Sequence, residues 1–147
     1  MINLWKAILG HAITDRGVQW IALINGIAAL LHFVFWIFVL LRLPSPSHAE
    51  TEAERIDLAA TYGLGVADLL WSVPLLTIGS VWLYQGSGVG WLAAQIVNGF
   101  YWYSFTFIAV RELNAKAIRP GTLLFLPFAI FSFWSAWYLW QVRPLFM

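Results

Sequence analysis

Residues 18–41 read VQWIALINGIAALLHFVFWIFVLL, a run without a single Asp, Glu, Lys or Arg. A bilayer hydrocarbon core about 30 Å thick is crossed by roughly 20 apolar residues at about 1.5 Å rise each, so this run is long enough to span. Its apolar residues are continuous rather than alternating. In lipid only helices and closed barrels satisfy the backbone, and a barrel strand would alternate, so the run predicts a helix. Working outward, residues 58–84, 89–110 and 120–142 meet the same requirement. The chain therefore reads as an all-α integral membrane protein, a single membrane domain over 1–147 built as a four-transmembrane-helix up-down-up-down bundle, with a loop over 42–57. Before the first span, Ile2, Trp5, Ile8, Leu9, Ala12 and Ile13 recur at helical spacing, which predicts a short amphipathic helix over 1–16 lying in the interface.

Composition agrees with a multi-pass membrane location. Hydrophobic residues make up 61% of the chain and charged ones 10%, with mean hydropathy +0.76, more apolar surface than a soluble domain of this length can bury. A net charge of +1 with eight scattered Lys and Arg gives no stripe for nucleic acid. The absence of cysteine excludes disulfides, thiolate metal sites and a cysteine nucleophile. Lys6, Asp15 and Arg16 interrupt the first 17 residues, so they do not read as a signal peptide and the first span is expected to stay in the mature protein.

The ends of the spans carry their own signals. Pro44 and Pro46 stop the first helix, and Ser47-x-x-Glu50 reads as a capping box that starts the second near residue 48, with Glu50, Glu52 and Glu54 suiting the helix dipole. Gln85 to Gly88 is a glycine-rich tight turn, and Arg111 to Arg119 is a short charged link closed by Pro120. Trp20, Trp82, Tyr84, Trp91, Trp137 and Trp140 then fall at one membrane face. Lys6, Arg16 and Arg143 lie on the side of the termini, against Arg42, Arg55, Arg111, Lys116 and Arg119 on the other. That bias weakly favours the termini outside, and is small enough to permit insertion both ways.

Polar groups at bilayer depth are costly, and they mark interior contacts or function. His32, Asp68 and Asn98 fall within one or two helical turns of the same depth, and Asn25 shares a face with His32 seven residues on. Ala22 and Gly26, Ala59, Gly63 and Ala67, and Gly90, Ala94 and Asn98 place small residues where helices approach. Pro74 frees the carbonyl of Leu70 and is expected to kink the second helix beyond Asp68. His32 and Asp68 thus read as a protonatable pair assisted by Asn98, Asn25 and Gln95, in a cavity walled by Trp71, Tyr101 and Trp102, which binds a small lipophilic or cationic molecule or a proton. The competing reading makes the same residues interhelical contacts.

Ser72 and Ser104 have no nucleophile elbow, and no phosphate loop, dinucleotide fingerprint or zinc motif occurs, so no catalytic residue is assigned. His32 alone lies at membrane depth, since His11 and His48 belong to opposite surfaces; no metal site or haem is expected. In size, four-span plan and weak charge bias the chain resembles the small multidrug transporters, dimers built around an intramembrane carboxylate. Their carboxylate lies in the first helix, whereas here that helix carries His32 and the deep carboxylate is Asp68 of the second, in DLLWSVPLL (68–76). No residue role carries over. Three functions fit: a binding or transport protein, as a homo-oligomer or within a larger complex; an accessory subunit of a larger membrane complex; or an intramembrane enzyme acting on a lipid-like substrate through His32 and Asp68.

Overall fold

A computed structural model describes residues 13–118 and 120–147. Most of the expected interfacial helix over 1–16 lies outside the described residues; Ile13 to Asp15 are non-helical, and Arg16 opens the first helix. The described residues form four helices and no strand: α1 Arg16–Arg42, α2 Glu52–Tyr84, α3 Gly88–Ala115 and α4 Pro120–Gln141. Two helical stretches, Arg16–His48 and Glu52–Tyr84, are long and apolar enough to cross a bilayer, with mean hydropathy 2.3 and 1.6.

Local chemistry sets the helix ends. Asp15 caps α1, its carboxylate accepting from the Val18 N–H at 2.9 Å, and the same oxygen accepts from the Tyr138 hydroxyl at the far end of α4. The start of α2 differs from the Ser47–Glu50 expectation. Pro46 opens a 3₁₀ turn over Pro46–His48 that Ser45 caps, Ala49 is extended, and α2 begins only at Glu52. Thr51 is the cap, accepting from the Glu54 N–H at 3.2 Å, while the Glu54 carboxylate reaches back to the Glu50 N–H at 2.9 Å. A proline with its fixed φ favours the tight turn at 46, which uses up the serine before a helix can form there.

The turns after α2 and after α3 are Schellman closures, whereas α1 ends on an extended Leu43. After α2, Gly86 at φ 70° donates to Leu83 while Ser87 donates to Trp82, both at 2.9 Å. After α3, Lys116 takes the corresponding left-handed position at φ 51°, and Ala117 donates to Glu112 at 3.1 Å. A side chain in that region costs about 1–2 kcal/mol, part of which glycine returns through its freer unfolded chain. Lys116→Gly is therefore expected to stabilise the fold by about 0.5–1 kcal/mol, read as a raised midpoint in thermal unfolding.

Consecutive helices run antiparallel. Ile13 donates to the Tyr84 carbonyl, Tyr62 reaches the Leu43 carbonyl at 3.0 Å, Thr122 bonds Glu112 at 2.6 Å, and Trp91 bonds the Leu139 carbonyl at 2.8 Å. Val18, Ile21 and Ala22 of α1 pack with Leu83, Ala94 and Leu139 at one end, and Ala28, Ala29, Leu76, Val97 and Tyr101 pack nearer the other. Where α2 and α3 cross, Gly90 lies directly on the backbone of Trp82 and Leu83, and Gly79 on that of Ala94. Small residues permit this approach, as expected for Gly90 and Ala94. The ridge of Ala59, Gly63 and Ala67 instead faces outward, and Gly65, two residues from Gly63, is the one buried against α1. The second helix is rotated so that Asp68, rather than the ridge beside it, turns inward.

Candidate functional site

Pro74 has no N–H to return to the Leu70 carbonyl, and the helix absorbs the missing bond upstream of it. Asp68–Ser72 form a turn of π-helix, closed by the Val73 N–H on the Asp68 carbonyl. This wider turn lies where a kink is expected from sequence. It brings Ser72 under its own neighbour: the Ser72 hydroxyl donates to Asp68 Oδ1 at 2.6 Å. The other carboxylate oxygen, Oδ2, accepts from Trp36 Nε1 at 2.7 Å. Gly65 makes that second bond possible, because a Cβ there would come within 2.6 Å of the indole Cε3. A glycine one turn before the carboxylate thus lets an indole from α1 pack closely on α2.

Asp68 and Ser72 open on a cavity of about 10 Å³, room for about one water molecule, that is also lined by His32, Tyr101, Ser104 and Phe125. His32 and Asp68 share this space without a direct hydrogen bond or ion pair. His32 Nδ1 is 3.4 Å from the Tyr101 hydroxyl, and its ring stands edge-on to Tyr101 and Phe125. All four helices contribute: His32 from α1, Asp68 and Ser72 from α2, Tyr101 and Ser104 from α3, Phe125 from α4.

The two oxygens of Asp68 differ in what their partners allow. Trp36 Nε1 is a donor only, so Oδ2 stays an acceptor in either protonation state. Ser72 can donate or accept. A protonated Asp68 can therefore hold its proton on Oδ1 and turn the Ser72 bond around, with no loss of the Trp36 contact.

The remaining residues singled out by sequence lie elsewhere. Asn98 Nδ2 donates to Ser135 Oγ at 3.1 Å, Gln95 Nε2 to the Ala136 carbonyl at 3.2 Å and Trp102 Nε1 to Ser132 Oγ at 2.7 Å. With Trp91 on the Leu139 carbonyl, these make a polar seam between α3 and α4, at positions 91, 95, 98 and 102. The spacing of four, three and four keeps one stripe facing a neighbour, so the seam is a packing device. Asn25 is buried at the crossing of α1, α2 and α3, beside Gly79, with Nδ2 unpartnered. Trp71 is 63% exposed and points away from the cavity.

Trp36 and Ser72 are the site residues that composition conceals. Ser72 stands four residues from its partner Asp68, and Trp36 stands four residues from His32 on the same face of α1, and that spacing is the signal that finds them. Trp36→Phe removes the N–H together with part of the indole that packs on Gly65. It is expected to lower stability by about 1–3 kcal/mol, from one oxygen of a part-buried carboxylate left unpaired and from the lost ring contact, as measured by chemical unfolding.

No protein-family model, curated protein or solved structure matches the chain.

Proposed function

We propose that the chain is a four-span integral membrane protein whose core takes up and releases a proton at Asp68. The membrane part of this reading is supported by where the apolar surface lies. Only 17% of the apolar window in α1 and 22% of that in α2 is buried, whereas the core helix of a soluble protein hides most of its apolar residues. Large exposed hydrophobics continue on the other two helices, among them Leu92, Ile96 and Val110 on α3 and Leu123, Ile130 and Phe133 on α4. Contiguous exposure on this scale needs a lipid solvent or a partner. Arg42 lies over the Phe38 ring at 3.9 Å at one end and Arg143 over Trp140 at 4.9 Å at the other, the arrangement of interfacial anchors.

The proton part rests on one observation: Asp68 and His32 face the same water-sized cavity while Asp68 is held by donors that tolerate either protonation state. A lipophilic or cationic ligand of ordinary size fills about 300 Å³ or more, so such a ligand needs the helices to part; a proton does not. The cavity lies nearer one end of the bundle. Tyr62, which touches the end of α1, is six residues from Asp68, roughly 9 Å along the helix, whereas Asp68 to Tyr84 spans roughly 24 Å past the close crossing at Gly79 and Gly90. On this reading protons enter by the shorter way, from the end that holds the α1–α2 and α3–α4 turns. This is the kind of core that a proton-coupled carrier requires, with a second arrangement opening the other side.

Two experiments test the proposal. Because the chain has no cysteine, single cysteines can be introduced without background. In intact membranes a cysteine at Leu30, Ile96 or Ile130 is expected to resist a membrane-impermeant maleimide, while one at Ser47 or Glu54 reacts from one side only; labelling at all five would refute the four spans. Infrared spectra of the reconstituted protein test the proton: acidification should raise a protonated-carboxyl band that is missing from Asp68→Asn. A band unchanged by that substitution would remove Asp68 from the reading.

A further inference from the structure

On its outer face α3 carries an open apolar groove of about 380 Å³ lined by Tyr103, Thr106, Phe107, Val110 and Arg111. These positions are separated as i, i+3, i+4, i+7 and i+8, one stripe of a helix, with Tyr103 73% exposed. Eight residues extend roughly 12 Å along the axis, most of the roughly 15 Å depth of one leaflet's hydrocarbon. The cation lies at the end near the α3–α4 turn, where the proposed membrane has its surface. Arg111 makes no ion pair or hydrogen bond with the described residues. Glu112 beside it points the other way, buried against α4 with Thr122 Oγ1 on its carboxylate at 2.6 Å.

We infer that this groove binds an anionic phospholipid, one acyl chain lying along Tyr103, Phe107 and Val110 and the phosphate on Arg111. Charge complementarity and depth together select this occupant. A helix of a second copy would have to bury an unpaired guanidinium, which is costly, whereas a phosphate at the interface accepts the planar N–H fork of arginine in a bidentate pair. The inference rests on the membrane reading given above and is independent of the proton site.

The test is native mass spectrometry of the whole chain in nonionic detergent with added phosphatidylglycerol or phosphatidylcholine. The wild type is expected to retain one phosphatidylglycerol in preference to phosphatidylcholine. Arg111→Gln should weaken phosphatidylglycerol retention about five- to tenfold, the effect of one interfacial cation, and phosphatidylcholine, whose phosphate is offset by its own ammonium, by clearly less. Val110→Trp, which fills the groove and spares Arg111, should weaken both lipids. Equal retention of phosphatidylglycerol by wild type and Arg111→Gln overturns the site, as does a stable dimer that excludes lipid from Val110. Alkaline carbonate washing of membranes holding the same protein separates the two readings. Release from the membrane refutes insertion itself, whereas firm retention without lipid preference refutes only the lipid site.

Discussion

Gly90→Ala is expected to destabilise the fold by about 3 kcal/mol, seen as a melting midpoint lower by on the order of 10 °C. The alanine Cβ would overlap the Leu83 N and the Trp82 carbonyl carbon, and these are backbone atoms that no rotamer change can move aside. Relief requires α2 and α3 to separate at a closure pinned by Gly86 and by the Ile13 bond to Tyr84. The strain then passes one turn along α3 to Ala94, which rests on Gly79 beside Asn25. Gly63→Ala and Gly99→Ala are the controls. A Cβ at either meets nothing within 4 Å, so each should gain up to about 1 kcal/mol from helix propensity. A Gly90→Ala protein that melts with the wild type would mean that the α2–α3 crossing is looser than described.

Asp68→Asn is expected to have the opposite character, with little effect on stability and a large one on function. The amide can keep both contacts: its oxygen accepts from Trp36 Nε1, and its NH₂ donates to the Ser72 hydroxyl, which turns to accept. The unfolding midpoint should therefore stay within about 1 kcal/mol of wild type, as for a replacement that leaves no buried group unpaired. What disappears is the one carboxyl that lines the cavity among the described residues and, on the proposed reading, proton uptake with it. Asp68→Ala differs, because it strands the Trp36 N–H and empties the space beneath it; it should cost about 1–3 kcal/mol. If Asn and Ala melt alike, the hydrogen bonds to Asp68 contribute less than their geometry implies.

These residues show how far the sequence reaches. The long apolar stretches and their breaks are legible because composition changes abruptly at Arg42, at Gln85 and at Arg111, and helices occupy those stretches. The depth of His32 and Asp68 follows from counting along the chain, and they do line one cavity. Facing is another matter. The helices are apolar nearly all round, so periodicity gives no inward side, and the rotation that buries Gly65 while exposing Ala59, Gly63 and Ala67 leaves no trace in hydropathy. For the same reason Asn98, Gln95 and Trp102 look like members of the polar core, although Ser132 and Ser135 of α4 claim Trp102 and Asn98 for the α3–α4 seam and the Ala136 carbonyl claims Gln95. Trp36 hides in a run of aromatic and aliphatic residues whose bulk suggests only grease. Its N–H matters because of a glycine twenty-nine residues away in sequence, Gly65.

The account is tested most directly by the reaction of Asp68 with dicyclohexylcarbodiimide in reconstituted vesicles. This reagent partitions into lipid and modifies protonated carboxyls. With the external pH varied, mass spectrometry of the modified peptide reads whether Asp68 is modified. The account predicts modification of Asp68 that rises as the pH falls, that changes its pH profile in His32→Ala, and that responds to the pH on only one side of the vesicle. Modification confined to Glu52 and Glu54, with Asp68 untouched throughout, would contradict it.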